Sequence, residues 1–279
     1  MENNPNRTGF STPFKIIVVV AALLILIAWL QFTPSGILGK ADAIGYAVCH
    51  RIPSHSFFFD IRAMPLCARC SGMHLGVLLG LLFQLRYGKR GGMPAKKIMI
   101  VLGIFLLAFG LDGINSYLTL GKEGGNSIPI LSSIPILYTP QNWLRLLTGT
   151  MLGVGIAAVL LPVFNQTMWV DWSEEPALSS WRQLGILILL ALVVDLAVLS
   201  ENILVLFPLA LLSSLDVLII LSLVYTIVWV MILKRENAYM NLKELWVPLV
   251  AGFALAILQI AAMDYGRYML TGTWDGFFS

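Results

Sequence analysis

All three cysteines and all three histidines of this chain fall between Cys49 and His74, in the stretch CHRIPSHSFFFDIRAMPLCARCSGMH. Cysteine and histidine are the side chains that hold borderline-soft metals, and cysteine alone supplies thiol redox chemistry. A helix beginning at Cys67 puts Cys67, Cys70 and His74 on one face, at i, i+3 and i+7. Cys49 and His50 precede a turn that Pro53 and Pro65 shape, so the chain can bring them back to the same place. Three thiolates and one imidazole make a tetrahedral zinc set. The expected ligands are Cys49, His50, Cys67 and Cys70, with His74 in reserve. An odd cysteine count fits this set better than a disulfide scaffold.

Two other readings use the same residues. Cys67 and Cys70 sit at a helix start beside Arg69, and both features favour the thiolate that redox exchange requires. Membrane enzymes similar to vitamin K epoxide reductase place a C-x-x-C pair near a quinone, but with an even set of cysteines, which this chain lacks. The third reading is one disulfide that staples an outer loop.

The elements that must position these residues are membrane helices. The chain is 58% hydrophobic and only 12% charged, about half the charge of a soluble domain, and its mean hydropathy is +0.84. Its apolar runs are long enough to cross roughly 30 Å of hydrocarbon. The expected fold is all-α: a polytopic integral membrane bundle of about seven helices in a cell membrane. Its partner is the lipid bilayer. A net charge of +3 gives no footprint for nucleic acid, and a homo-oligomer stays open.

Residues 1–13 read as a disordered tail. Spans are expected at 14–32, 71–87, 97–118, 142–164 and 245–263, with two more inside 184–233 that turn near 201–208. Residues 14–165 form a first membrane part of about four helices, and 166–279 an additional part of about three. Arg86, Lys89, Arg90, Lys96 and Lys97 crowd one loop with no acid among them, which places that loop and the N-terminus inside. This assignment puts eleven of the eighteen Lys and Arg residues inside. Gly72, Gly76 and Gly80 lie four apart, as do Gly149 and Gly153, so each set leaves a smooth helix face. The loop 120–141 carries SIPIL twice, at 127–131 and 133–137, and its prolines suggest a lid along the outer interface.

Ionisable groups inside spans are functional candidates by default. Asp112 and Asn115 lie near the outer end of the third span, within expected reach of Asn142 and Arg145 at the start of the fourth. Asp112 has two expected partners: Arg145, as an ion pair, and His50, whose ring N–H it would accept and whose tautomer it would so fix. Asp195 and Asp216 supply a proton- or cation-transport reading.

The combination C-H-R-x-P, S-F-F, P-L-C-A-R-C-S-G, L-D-G-I-N and N-W-L-R-L-L-T-G-T-M-L-G resembles a bacterial membrane family catalogued as domain of unknown function 2085. The likeness covers roughly residues 45–160. It implies motif positions at Cys49, His50, Cys67, Arg69, Cys70, Gly72, Asp112, Gly113, Asn142, Arg145, Thr148 and Gly149. The family pattern more often has Arg where this chain has His55 and Tyr where it has His74, which makes both histidines secondary candidates. The resemblance implies no activity.

Overall fold

The computed structural model describes residues 9–123 and 134–275. Eight α-helices occur among them, and seven are long and apolar enough to cross a membrane. In chain order they are α1 (Thr12–Phe32), the short α2 (Gly36–Val48), α3 (Ala68–Leu85), α4 (Lys96–Glu123), α5 (Asn142–Met168), α6 (Trp181–Leu199), α7 (Ile203–Ile232) and α8 (Leu242–Thr271). All but α2 are candidate spans. The chain is thus a multi-pass α-helical membrane protein.

α3 and α5 form the centre of the bundle, with two-thirds of each span buried where every other span is less than half buried. Their glycine stripes face each other. A Cβ at Gly76 would stand 2.2 Å from the carbonyl oxygen of Thr150, one at Gly149 2.2 Å from that of Arg69, and one at Gly153 2.1 Å from that of Met73. With no side chain in the seam, the two backbones approach as small-residue membrane interfaces allow. α4, α6 and α7 pack around this pair, while α8 joins α1 to α7 and α2.

Several boundaries differ from the sequence reading, each for a local reason. Pro208 lies inside α7 rather than in the preceding turn. The turn is only Ser200–Asn202, because the Asn202 side chain accepts the Leu204 N–H at 2.9 Å and starts the helix there. The last helix continues eight residues beyond Met263 and stops at Gly272, whose φ of +69° suits a glycine cap. The fourth span likewise runs on to Met168. The first begins at Thr12, inside the stretch expected to be a disordered tail. Residues 1–8 lie outside the described residues, and so does most of the repeated lid sequence, 124–133.

The polar loops gather at the two ends of the bundle. At one end, Arg90–Gly92 pairs in parallel with Ser173–Pro176, and Lys89 bridges to Asp171 at 2.6 Å. The Val170 N–H donates to the Tyr239 carbonyl at 3.1 Å, which ties in the loop before α8. At the other end lie α2, the Cys/His window, residues 134–141 and the C-terminal end of α8. Each of the seven cations expected there has a structural partner, Arg145 among them through Ser116 and Asn142. Arg51 and Arg62 both hold Asp42, Arg69 holds Asp112, and Lys122 donates to the Ile134 carbonyl at 2.7 Å. Lys40 donates to the Leu30 and Thr33 carbonyls at the end of α1, and Arg267 holds carbonyls of the window.

Candidate functional site

The window is built so that the end of α2 meets the start of α3. Gly45 makes this possible, because a Cβ there would lie 2.1 Å from the Pro65 carbonyl oxygen. Gly45 thereby lets Pro65 lie against α2, two residues before Cys67, and the Cys49 N–H closes the last turn of α2 onto the Gly45 carbonyl at 2.8 Å. Between these ends the chain makes a two-residue hairpin pairing Phe58 with Ala63 and Phe59 with Arg62. Asp60 takes φ +60° in its turn, as such tight hairpins require. The Asn142 side-chain amide donates to the Ser54 and Ser56 carbonyls at 3.2 and 3.3 Å, anchoring the middle of the window to α5.

The result is a cluster of three free thiols. The sulfurs of Cys49, Cys67 and Cys70 all lie within 4.8 Å of one another. Cys49 and Cys67 are packed in an apolar cluster with Trp29, Ile44, Leu66, Val217 and Ile257. The Cys67 N–H, at the start of α3, donates to the Cys49 sulfur at 3.3 Å, and the Arg51 N–H reaches it at 3.5 Å. Hydrogen bonds from the Cys67 and Cys70 thiols hold the Cys49 thiol well below its ordinary pKa. Donating to Cys49, together with burial, pushes Cys67 up to about 12. Within the trio, these contacts favour the thiolate at Cys49 over that at Cys67.

The histidines lie elsewhere. Among the described residues no histidine nitrogen joins the three sulfurs within that reach. His50 lines a cavity beside them, and its Nδ1 accepts the Ile52 N–H at 3.0 Å. A neutral ring in that bond carries its proton on Nε2. His50 thus offers a donor rather than a lone pair unless its ring turns. His55 packs edge-on against His50 at 5.4 Å, and burial lowers its pKa to about 4. His74 points into the bundle, where its Nδ1 lies 3.0 Å from an Asp216 carboxylate oxygen on α7. Asp195 similarly accepts the Thr150 hydroxyl at 2.6 Å.

Asp112 pairs with Arg69, not with Arg145 or His50. One carboxylate oxygen takes the Arg69 guanidinium and the other takes the Tyr138 hydroxyl at 2.8 Å. Arg145 is directed instead to two neutral groups, the Ser116 hydroxyl at 3.4 Å and the Asn142 side-chain oxygen at 2.7 Å. Asn115 binds the described end of the loop before α5, donating to the Tyr138 carbonyl and accepting the Leu137 N–H, both at 2.8 Å.

Beside the thiols is a cavity of about 610 Å³, walled by His50, Cys67, Arg69 and Cys70 on one side and by α4 on the other. Gly110 and Gly113 leave its α4 wall open, while Ile114 and Tyr117 are exposed at its edge. The composition of α4 gave no sign of this. Its glycines, at 103, 110, 113 and 121, are seven, three and eight residues apart, so they form no stripe of the kind seen on α3.

Comparison with known proteins places the same segment at the centre. No solved structure matches the chain. An uncharacterized protein of Methanocaldococcus jannaschii is 27% identical over 129 residues, which is 46% of this chain and 70% of the relative. Residues 49–159, from the first cysteine of the cluster to the middle of α5, match the family described as predicted membrane protein (DUF2085).

Proposed function

We propose that this chain is an integral membrane metal-binding protein whose Cys49, Cys67 and Cys70 thiolates hold one ion, zinc first, with a fourth position turned toward the adjoining cavity. The observation that carries this reading is the convergence of three unbonded sulfurs within 4.8 Å. Metals held by three protein ligands keep a position for water or substrate. A zinc ion with three thiolates has a net charge of −1, and Arg145, hydrogen-bonded to neutral groups, supplies a nearby compensating charge. His50 would present its Nε2–H to whatever takes the open position.

Metal analysis of the purified protein tests this. About one zinc per chain is expected, falling to near zero in Cys49→Ser, Cys67→Ser and Cys70→Ser, and staying bound in His55→Ala. Gly45→Ala should also lose most of the metal with every thiol intact, because its Cβ drives the end of α2 away from Pro65. Full-length protein that binds no metal with its thiols reduced would refute the reading. The closeness of the three free thiols supports a second reading, a thiol–disulfide oxidoreductase with Cys67 and Cys70 as the cycling pair. Metal-free protein whose Cys67–Cys70 dithiol is oxidised to the disulfide by a quinone, with release of the quinol, would favour it.

We also propose that residues 14–165 are the family-like core and 166–279 an addition packed on it. The N-terminus is cytoplasmic and the thiol cluster lies at the outer face of the plasma membrane. The five-cation loop supports this orientation. Met93→Cys and Ile61→Cys mark opposite ends of the bundle at exposed positions. An impermeant thiol reagent added to intact cells should label position 61 and spare 93, and the reverse pattern would invert the topology.

A further inference from the structure

A second cavity, of about 570 Å³, lies between α1 and α8 at the same end of the bundle as the thiols but on different residues. Its floor holds Trp29 and Asp264, which are 6% and 3% exposed. The Trp29 indole N–H donates to one Asp264 oxygen at 3.1 Å. The other oxygen, Oδ1, is buried with no hydrogen-bond partner among the described residues. Arg267, three residues along α8, puts a positive charge near Asp264 while donating to the Tyr46, Cys49 and His50 carbonyls. Oδ1 still lacks a direct partner, and a buried carboxylate with half its acceptor capacity unused is costly.

The walls have the chemistry to supply a cation. Phe32, Tyr265, Tyr268 and Trp274 join Trp29 around the space, and the Tyr268 and Trp274 rings lie 5.6 Å apart at a tilt of 39°. Aromatic faces attract organic cations through the ring quadrupole, and a ring of them is the usual receptor for alkylated ammonium. Lys40 already places its ammonium 5.8 Å from the Trp29 ring. It is held by the Leu30 and Thr33 carbonyls and is not on the cavity wall. Phe32 and Tyr265 are 84% and 65% exposed, so the mouth is apolar and opens sideways from two spans.

We propose that this cavity binds an alkylammonium group, with its charge against Asp264, its substituents within the aromatic wall and any attached chain leaving past Phe32. The cation could be the head group of a lipid or a small soluble amine. The site is independent of the metal reading.

The probe is dodecyltrimethylammonium, titrated against the purified full-length protein in a neutral maltoside detergent and counted by native mass spectrometry. One bound cation per chain is expected, with affinity at least tenfold weaker in Asp264→Asn and in Tyr268→Leu. Competition by tetramethylammonium at similar concentration identifies a small soluble amine as the ligand class. Competition that needs the alkyl chain identifies a lipid head group. Equal binding of dodecanol, or unchanged affinity in the variants, overturns the proposal. If Asp264→Asn does not fold, Tyr268→Leu, at the half-exposed mouth, decides the question alone.

Discussion

Gly153→Ala is expected to destabilise the protein by about 2–3 kcal/mol, at the upper end of what overpacking usually costs, although alanine ordinarily favours a helix over glycine. The new Cβ would stand 2.1 Å from the Met73 carbonyl oxygen and 2.7 Å from the Val77 nitrogen. Both are backbone atoms of α3 and cannot rotate away. The helices would have to separate, and the start of α3 carries Cys67 and Cys70. Gly155→Ala is the internal control, because the nearest atom to its Cβ is the Leu102 Cβ at 3.8 Å, an ordinary contact. Thermal or denaturant unfolding in detergent should show a large loss at 153 and little change or a small gain at 155. Equal effects at the two positions would mean that the seam between α3 and α5 is not tightly closed.

Asp112→Ala is expected to cost about 3–5 kcal/mol, since removing one member of a buried pair leaves the other charge uncompensated. Arg69 is 7% exposed, and besides Asp112 it donates to the Ser116 hydroxyl at 2.9 Å. The same substitution takes the acceptor from Tyr138 and so loosens residues 134–141. Asp112→Leu combined with Arg69→Met should recover most of the loss, because neither charge then remains. Unfolding measurements on the single and double variants give the coupling directly. A cost below about 1 kcal/mol for Asp112→Ala would mean that water in the adjoining cavity hydrates the freed guanidinium.

Much of this architecture was legible because it depends on composition and short-range spacing. Long apolar runs set the spans, glycines four apart marked the closest seam, and the crowding of Cys and His marked the thiol cluster. What could not be read was the direction in which each side chain points around its helix. Arg69 and Arg145 both stand at the level of Asp112, and only the rotation of α3 against α4 selects Arg69. His74 shares a helical face pattern with Cys67 and Cys70. Even so, seven residues of helix carry it deeper, to a carboxylate 142 positions along the chain. Asp264 escaped notice for a different reason. A span ended at Met263 assigns it to a tail, whereas the stop signal is Gly272, more than two turns further along the helix.

Arg267 has a consequence for how the protein is made. From the last helix it donates to the carbonyls of Tyr46 and Cys49, each at 2.6 Å, and to that of His50 at 3.3 Å. Cys49 and Arg267 are 218 residues apart. At a synthesis rate of about 5–20 residues per second, the ribosome adds the residue that fastens the first cysteine roughly 10–40 s after the cysteine itself. Once Cys70 has been added, the nascent chain holds all three thiols but still lacks the clamp on the end of α2 that bears Cys49. The cluster is therefore closed late in biogenesis, and its sulfurs are open to capture by an ion, an oxidant or a chaperone before the final span is in place.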